Sequence, residues 1–271
     1  MKKLVVITGA SSGIGKELAA TFTKQGHPVL MLARRGDVME NFHFPGSICR
    51  SVDVTDLNAV RQAVSEAEAV YGKTDLLINC AGLMLLGHAD SQPYEEWEKM
   101  IDVNIKGVLT GTKAVLQDMI SRKAGTIINI SSIAGRKTFD EHAVYCASKY
   151  AVHAITESMR KEAAEHNVRI CVIAPGVVET SLLSHTTNEQ IKEDYEQWKE
   201  SIDGGMDVSR IDPEKLMSLY SIVFQDVTLF DNTILENIRL GRKGATDEEV
   251  LTAAKLANCE EFAEKLPDKW N

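Results

Sequence analysis

Between Leu4 and Ala174, short apolar runs alternate with longer stretches in which apolar residues recur at helical spacing. Leu4-Val5-Val6-Ile7 is continuous and largely β-branched, as expected of a strand buried on both faces. Residues 16–25 have helical composition. The same pair of patterns then repeats. Strands are predicted at Pro28–Ala33, Ser47–Val52, Asp75–Ile78, Gly125–Asn129 and Val168–Ala174. Helices are predicted at Asp56–Tyr71, as one or two helices within Pro93–Arg122, and at His142–Glu165. Strands alternating with helices specify an α/β fold with a doubly wound parallel sheet and helices on both faces. In such sheets ligands bind outside the carboxyl ends of the strands.

Polar residues with chemical capability cluster at those predicted ends. After the first strand comes Thr8-Gly9-Ala10-Ser11-Ser12-Gly13-Ile14-Gly15, leading into a helix. The glycines let the backbone approach a pyrophosphate, and the helix N-terminus offers unpaired N–H donors. The spacing Gly-x-x-x-Gly-x-Gly differs from the commoner Gly-x-Gly-x-x-Gly. The second strand ends in Arg34-Arg35. An acidic residue there would accept from a ribose 2′-hydroxyl, whereas arginine suits a 2′-phosphate. This favours NADP over NAD, the alternative being a basic surface turn. Tyr145 and Lys149 lie four residues apart, which places both on one helix face. A phenol holds its proton to about pH 10, and bringing it to neutrality takes roughly 4 kcal/mol of differential stabilisation. An ammonium one turn away is one source of that field. Alone, such a pair also fits an ordinary amphipathic surface.

In this order and context, residues 1–202 resemble the short-chain dehydrogenase/reductase family. The resemblance rests on Thr8 to Gly15, Asp53, Asn79-Cys80-Ala81-Gly82, Asn104, Ser132, Tyr145, Lys149 and Pro175 to Thr180. It implies a Rossmann-like sheet and hydride transfer at a nicotinamide coenzyme. Tyr145 would be the acid/base and Lys149 would lower its pKa and bind the nicotinamide ribose. Ser132 would bond the substrate oxygen, and Asn104 would hold a water in a proton relay. Gly9, Ser11, Ser12, Gly13, Ile14, Gly15, Arg34 and Arg35 would hold the coenzyme phosphates. Asp53 and Val54 would flank the adenine. Asn79, Ala81 and Gly82 would line the coenzyme, as would Pro175, Gly176 and Val178, with Thr180 facing the nicotinamide amide. Two residues depart from the family pattern: Cys80 stands where asparagine is usual, and Ser12 where many NADP-preferring members carry a basic residue. A homodimer or homotetramer is also implied.

Ser181 to Ser201 fits the family's variable substrate-covering region, with Tyr195 and Trp198 as apolar anchors or as plain packing. The family would then supply a further helix and strand. Residues 203–271 instead resemble part of an ATP-binding-cassette transporter nucleotide-binding domain around its glutamine loop, through Ser221 to Phe230 and Thr233 to Ile238. The phosphate-loop lysine, the signature sequence and the Walker-B acid are missing, so Gln225 is given no role. Leu219–Phe224 is expected to take the vacant edge-strand place. Thr246-Asp247-Glu248-Glu249 is expected to cap a helix running to Lys265.

The 271 residues carry a net charge of −9, −3 from residues 1–202 and −6 from residues 203–271. An acidic chain is a poor nucleic-acid ligand. No apolar run approaches the length of a membrane span. The chain enters a strand at once, and its five scattered cysteines show no metal spacing, so a cytoplasmic, reducing location is expected. The sequence therefore points to an NADP-dependent oxidoreductase that interconverts a small carbonyl compound and its alcohol, with no metal, membrane or nucleic-acid partner. The alternative is a chimeric coenzyme-binding protein with impaired turnover and a purely structural tail.

Overall fold

The computed structural model describes residues 2–202, 238 and 244–256. The chain divides into two compact units, Met1–Ile202 and Asp203–Asn271.

In the first unit six strands form one parallel sheet: β1 (Leu4–Thr8), β2 (Val29–Ala33), β3 (Ser47–Ser51), β4 (Thr74–Asn79), β5 (Gly125–Ile130) and β6 (Val168–Ile173). Their spatial order is β3-β2-β1-β4-β5-β6, so the winding reverses between β1 and β4. Every residue of β1 and β2 is buried, which is why both read as unbroken apolar runs. The two faces of β1 feed separate cores. Leu4 and Val6 pack with Val60 and Val64 of α3 (Leu57–Tyr71) and with Val115 and Met119 of α5 (Gly107–Ser121). Val5 and Ile7 pack with Ala19 of α1 (Gly13–Lys24) and Met39 of α2 (Gly36–Glu40). β6, last in the order among the described strands, alternates buried and exposed residues at its start.

Local chemistry sets the boundaries. Asp56 caps α3 by accepting from the amides of Asn58 and Ala59 at 2.9 and 3.0 Å. The helix α1 begins at Gly13 rather than near Lys16, so the loop glycines form its first turn. The predicted Pro93–Arg122 region is α4 (Tyr94–Ile101), a π-helical turn at Asp102–Lys106, and α5. The short α2 carries too few apolar positions for periodicity to reveal it. The tyrosine–lysine helix is α6 (Ala143–Ala164), and α7 (Glu189–Ile202) follows in the substrate-covering region. Among the described residues no helix is long and apolar enough to cross a membrane.

In the second unit α8 (Asp247–Leu256) carries the expected reciprocal cap. The Thr246 amide donates to Glu249 Oε2 at 2.9 Å, and the Glu249 amide donates to Thr246 Oγ1 at 3.3 Å. The continuation to Lys265, the Leu219–Phe224 strand and Gln225 lie outside the described residues.

Candidate active site

A cavity of about 850 Å³ opens at the carboxyl ends of the strands, spanning the crossover between β1 and β4. Gly9, Ser11, Ser12, Gly13, Ile14 and Gly15 line one end. The glycines are required by contact. At Gly9, with φ +68°, a Cβ would lie 2.7 Å from the Ala81 Cα; at Gly15 it would lie 2.4 Å from the Gly9 carbonyl oxygen. The loop therefore presses on the end of β4. Thr8 Oγ1 fixes that contact by accepting from the amides of Cys80 and Ala81 at 3.0 and 3.1 Å. Beyond the loop the lining continues through Arg34, Arg35, Asp53 and Val54. Arg35 Nη2 donates to both Ser11 Oγ and Ser12 Oγ at 3.1 Å, joining the guanidinium to the glycine loop. His185 sits close enough to feel both arginines, and burial holds it below the ordinary histidine range. Asp53 Oδ1 accepts from the Thr55 amide at 2.9 Å and hydroxyl at 2.7 Å, which holds this carboxylate below its usual pKa.

The other end carries Ser132, Tyr145 and Lys149. Tyr145 and Lys149 are both buried although both are polar, because α6 turns them inward from the face that also buries Val152 and Thr156. Lys149 Nζ lies 5.8 Å from the Tyr145 ring centre and donates to the Ile130 carbonyl at 3.1 Å. Burial lowers the ammonium pKa to about 8. It raises the phenol to about 12, with a hydrogen bond from Ser132 pulling the other way. Loss of solvent thus outweighs the Ser132 hydrogen bond, and the expected depression of the phenol by Lys149 is not seen. Ser132 caps a single 3-10 turn, its Oγ accepting from the Ala134 amide at 3.1 Å.

Two expected site residues do not line the cavity. Asn79 is buried, and its Nδ2 donates to Asn129 Oδ1 at 2.9 Å, which binds β4 to β5. Asn129 in turn donates to Thr156 of α6 at 2.9 Å. Asn104 lies in the π-helical turn. Its Nδ2 donates to the Leu83 carbonyl at 2.9 Å and to Ser148 Oγ at 3.0 Å, and its Oδ1 accepts from the Leu83 amide at 2.8 Å. Both donor hydrogens and one acceptor site are spent on protein, so the side chain positions α6 and the Gly82–Leu83 segment. The remaining expected residues, Ala81, Gly82, Pro175, Gly176, Val178 and Thr180, do line the cavity.

Sequence reasoning missed the wall formed by Phe139 and His142 and the clasp of Lys199, which pairs with Glu179 at 2.6 Å and Glu196 at 2.9 Å. His142 precedes Tyr145 by three residues, a spacing that puts them on one side of the chain. That signal was available. The Lys199–Glu179 pairing crosses between segments and had none. Tyr195 and Trp198 both line the cavity, with ring centres 5.4 Å apart. Among the described residues no cluster of His, Cys, Asp or Glu could hold a metal ion.

The cavity suits a dinucleotide. Its volume falls within the range of cofactor sites, its glycine loop excludes side chains from the helix N-terminus, and Arg35 sits beside two hydroxyls where a phosphate would rest. The comparisons agree. The short chain dehydrogenase family profile matches residues 3–191. An uncharacterized oxidoreductase of Staphylococcus saprophyticus is 43% identical over 202 residues, 72% of this chain and 82% of that protein. The closed form of serine dehydrogenase complexed with NADP+ aligns with a TM-score of 0.67 at 30% identity, covering 75% of this chain and 82% of that one. ElxO with NADP bound aligns at 0.65 and 30% identity, covering 72% and 80%. The transporter-like reading of residues 203–271 draws no support from these matches. With this fold, this rim and these relatives, the chain belongs to the short-chain dehydrogenase/reductase family of oxidoreductases.

Proposed function

We propose that the protein is an NADP-dependent oxidoreductase that interconverts a small carbonyl compound and its alcohol. The observation that carries this reading is the convergence of Tyr145, Lys149 and Ser132 on the cavity that also contains the glycine loop and Arg35. When bound, the coenzyme supplies or accepts the hydride at the substrate carbon. The protein's own groups manage the oxygen. Ser132 donates to it, and Tyr145 delivers the proton in reduction or removes it in oxidation. Burial pushes the phenol up to about 12, so it carries a proton at neutral pH, the form the reductive direction starts from. Lys149 brings positive charge to the same site at neutral pH, anchored through Ile130. The Asn104–Ser148 hydrogen bond ties α6, which carries Tyr145 and Lys149, to the π-helical turn.

Arg34 and Arg35 support NADP over NAD, because two guanidinium groups at the end of β2 match a 2′-phosphate. Serine dehydrogenase and ElxO were both solved with that coenzyme. A homodimer or homotetramer rests on the family resemblance, and a cytoplasmic location on the five scattered cysteines without metal spacing. The test is NADPH oxidation against a panel of ketones, aldehydes and diones. Tyr145→Phe is expected to lower turnover at least about 1,000-fold while NADPH affinity stays within severalfold. Retained turnover in that variant defeats the mechanism. NADPH binding without turnover on any member of the panel defeats the small-carbonyl reading.

A further inference from the structure

The coenzyme end and the substrate end of the cavity differ in charge. Arg34 and Arg35 stand against Asp53 on the coenzyme side, and Lys149 lies beside Tyr145 at the other end. On the far side of Tyr145 the described lining includes the carboxylates of Asp140, Glu141, Asp194 and Glu196, and one ammonium, Lys199, already paired with Glu179 and Glu196. His142 sits among them and is held below the ordinary histidine range by burial, so it adds no positive charge at neutral pH. A cavity wall of one sign concentrates ligands of the other.

The same end is walled by rings. From Tyr145 the contacts run to His142 at 6.2 Å, from His142 to Tyr195 at 6.0 Å, and from Tyr195 to Trp198 at 5.4 Å. Phe139 closes the loop, 5.7 Å from His142 and 6.4 Å from Trp198. Aromatic faces attract ammonium groups, most of all weakly hydrated ones shielded by methyl groups. Rings alone would suit any apolar substrate. Glu141 lies 3.5 Å from His88, Glu196 pairs with Lys199, and Lys137 stands 5.4 Å from the centre of the Phe139 ring, so the rings and carboxylates that can select a further cation are Tyr195, Trp198, Asp140 and Asp194.

Taking the oxidoreductase reading above as its basis, we infer that the substrate is a small carbonyl or hydroxy compound bearing a substituted ammonium, seated against Tyr195 and Trp198 with Asp140 and Asp194 nearby. Carboxylate- or phosphate-bearing substrates are disfavoured by the same wall.

The experiment uses the full chain with saturating NADPH and three matched ketones. These are (trimethylammonio)acetone, its uncharged isostere methyl neopentyl ketone, and acetoacetate. The ammonium ketone is expected to show a kcat/KM about tenfold above the isostere, through KM, with acetoacetate lowest. Trp198→Leu and Asp194→Asn should each shrink that ratio severalfold. Asp194 is exposed, so its variant remains informative if the tryptophan variant misfolds. Equal or better use of the isostere or of acetoacetate overturns the inference and leaves the oxidoreductase reading intact. A second readout does not depend on turnover: tetramethylammonium titrated into the NADP+-loaded protein while Trp fluorescence is followed. Saturable quenching lost in Trp198→Leu upholds the cation site even if no ketone is reduced. Absence of saturable quenching overturns it.

Discussion

Lys149 is an ammonium without solvent, and removing it should make the protein more stable and inactive. Burial takes its pKa from 10.5 to about 8, which corresponds to about 3 kcal/mol of unfavourable charge burial at neutral pH. Lys149→Met keeps a long unbranched side chain and discards the charge, at the cost of the hydrogen bond to the Ile130 carbonyl, about 1 kcal/mol. The variant should therefore be about 2 kcal/mol more stable than the parent near pH 7. The pH dependence isolates the cause. Below about pH 8 both folded and unfolded chains hold the Lys149 proton, and the penalty is constant. Between about 8 and 10.5 the unfolded chain keeps a proton that the folded chain has released, so parental stability gains from this group as pH rises. By about pH 10 the variant's advantage should shrink by about 2 kcal/mol. Cys80, pushed up to about 11, and Tyr145, pushed up to about 12, act in the opposite sense, because each stays protonated longer in the folded chain. Tyr145 is common to both proteins, and Cys80, whose thiol pKa the Lys149 charge lowers, is mostly protonated in either folded chain at about pH 10. Urea unfolding followed by circular dichroism at the two pH values, at constant ionic strength, measures that difference. A gap that does not change with pH, or a variant less stable at neutral pH, refutes the charge-burial argument.

Asn129→Ala removes the link between Asn79 and Thr156 and should cost about 2–4 kcal/mol in urea unfolding, since two buried partners lose hydrogen bonds; a loss below about 1 kcal/mol would show that the network is dispensable. Arg35→Ala should weaken NADPH about tenfold or more in a fluorescence titration and leave NADH nearly unchanged, and equal losses would remove the coenzyme argument. Asp56→Ala strips the cap from α3 and should lower stability by about 1 kcal/mol, seen as a Tm drop of about 3 °C; an unchanged Tm would mean that solvent replaces the cap.

The sheet was legible because its central strands are buried on both faces and so carry unbroken apolar runs, as in Val29–Ala33. The rim was legible because the glycine loop, Arg34 and Ser132 sit at the ends of such runs and Tyr145 and Lys149 lie one helical turn apart. Two kinds of information were hidden. One is orientation: the sequence cannot say that the Asn79 amide faces Asn129 instead of the cavity, since strand ends allow either face. The other is the balance between burial and charge. Tyr145 and Lys149 read as an activated pair, yet the depth of α6 raises one pKa and lowers the other. The short α2 and the π-helical turn carry no periodicity of their own.

Three contacts that assemble the rim end on main-chain atoms: Lys149 on the Ile130 carbonyl, Asn104 on both polar groups of Leu83, and Thr8 on the amides of Cys80 and Ala81. A backbone atom is the same whatever side chain it carries. Residues 80, 81, 83 and 130 can therefore drift with little effect on the reacting groups, whereas Thr8, Asn104 and Lys149 cannot. This arrangement separates the inheritance of chemistry from the inheritance of specificity: a lineage can retune the walls around the substrate one side chain at a time while the proton-handling frame stays in register.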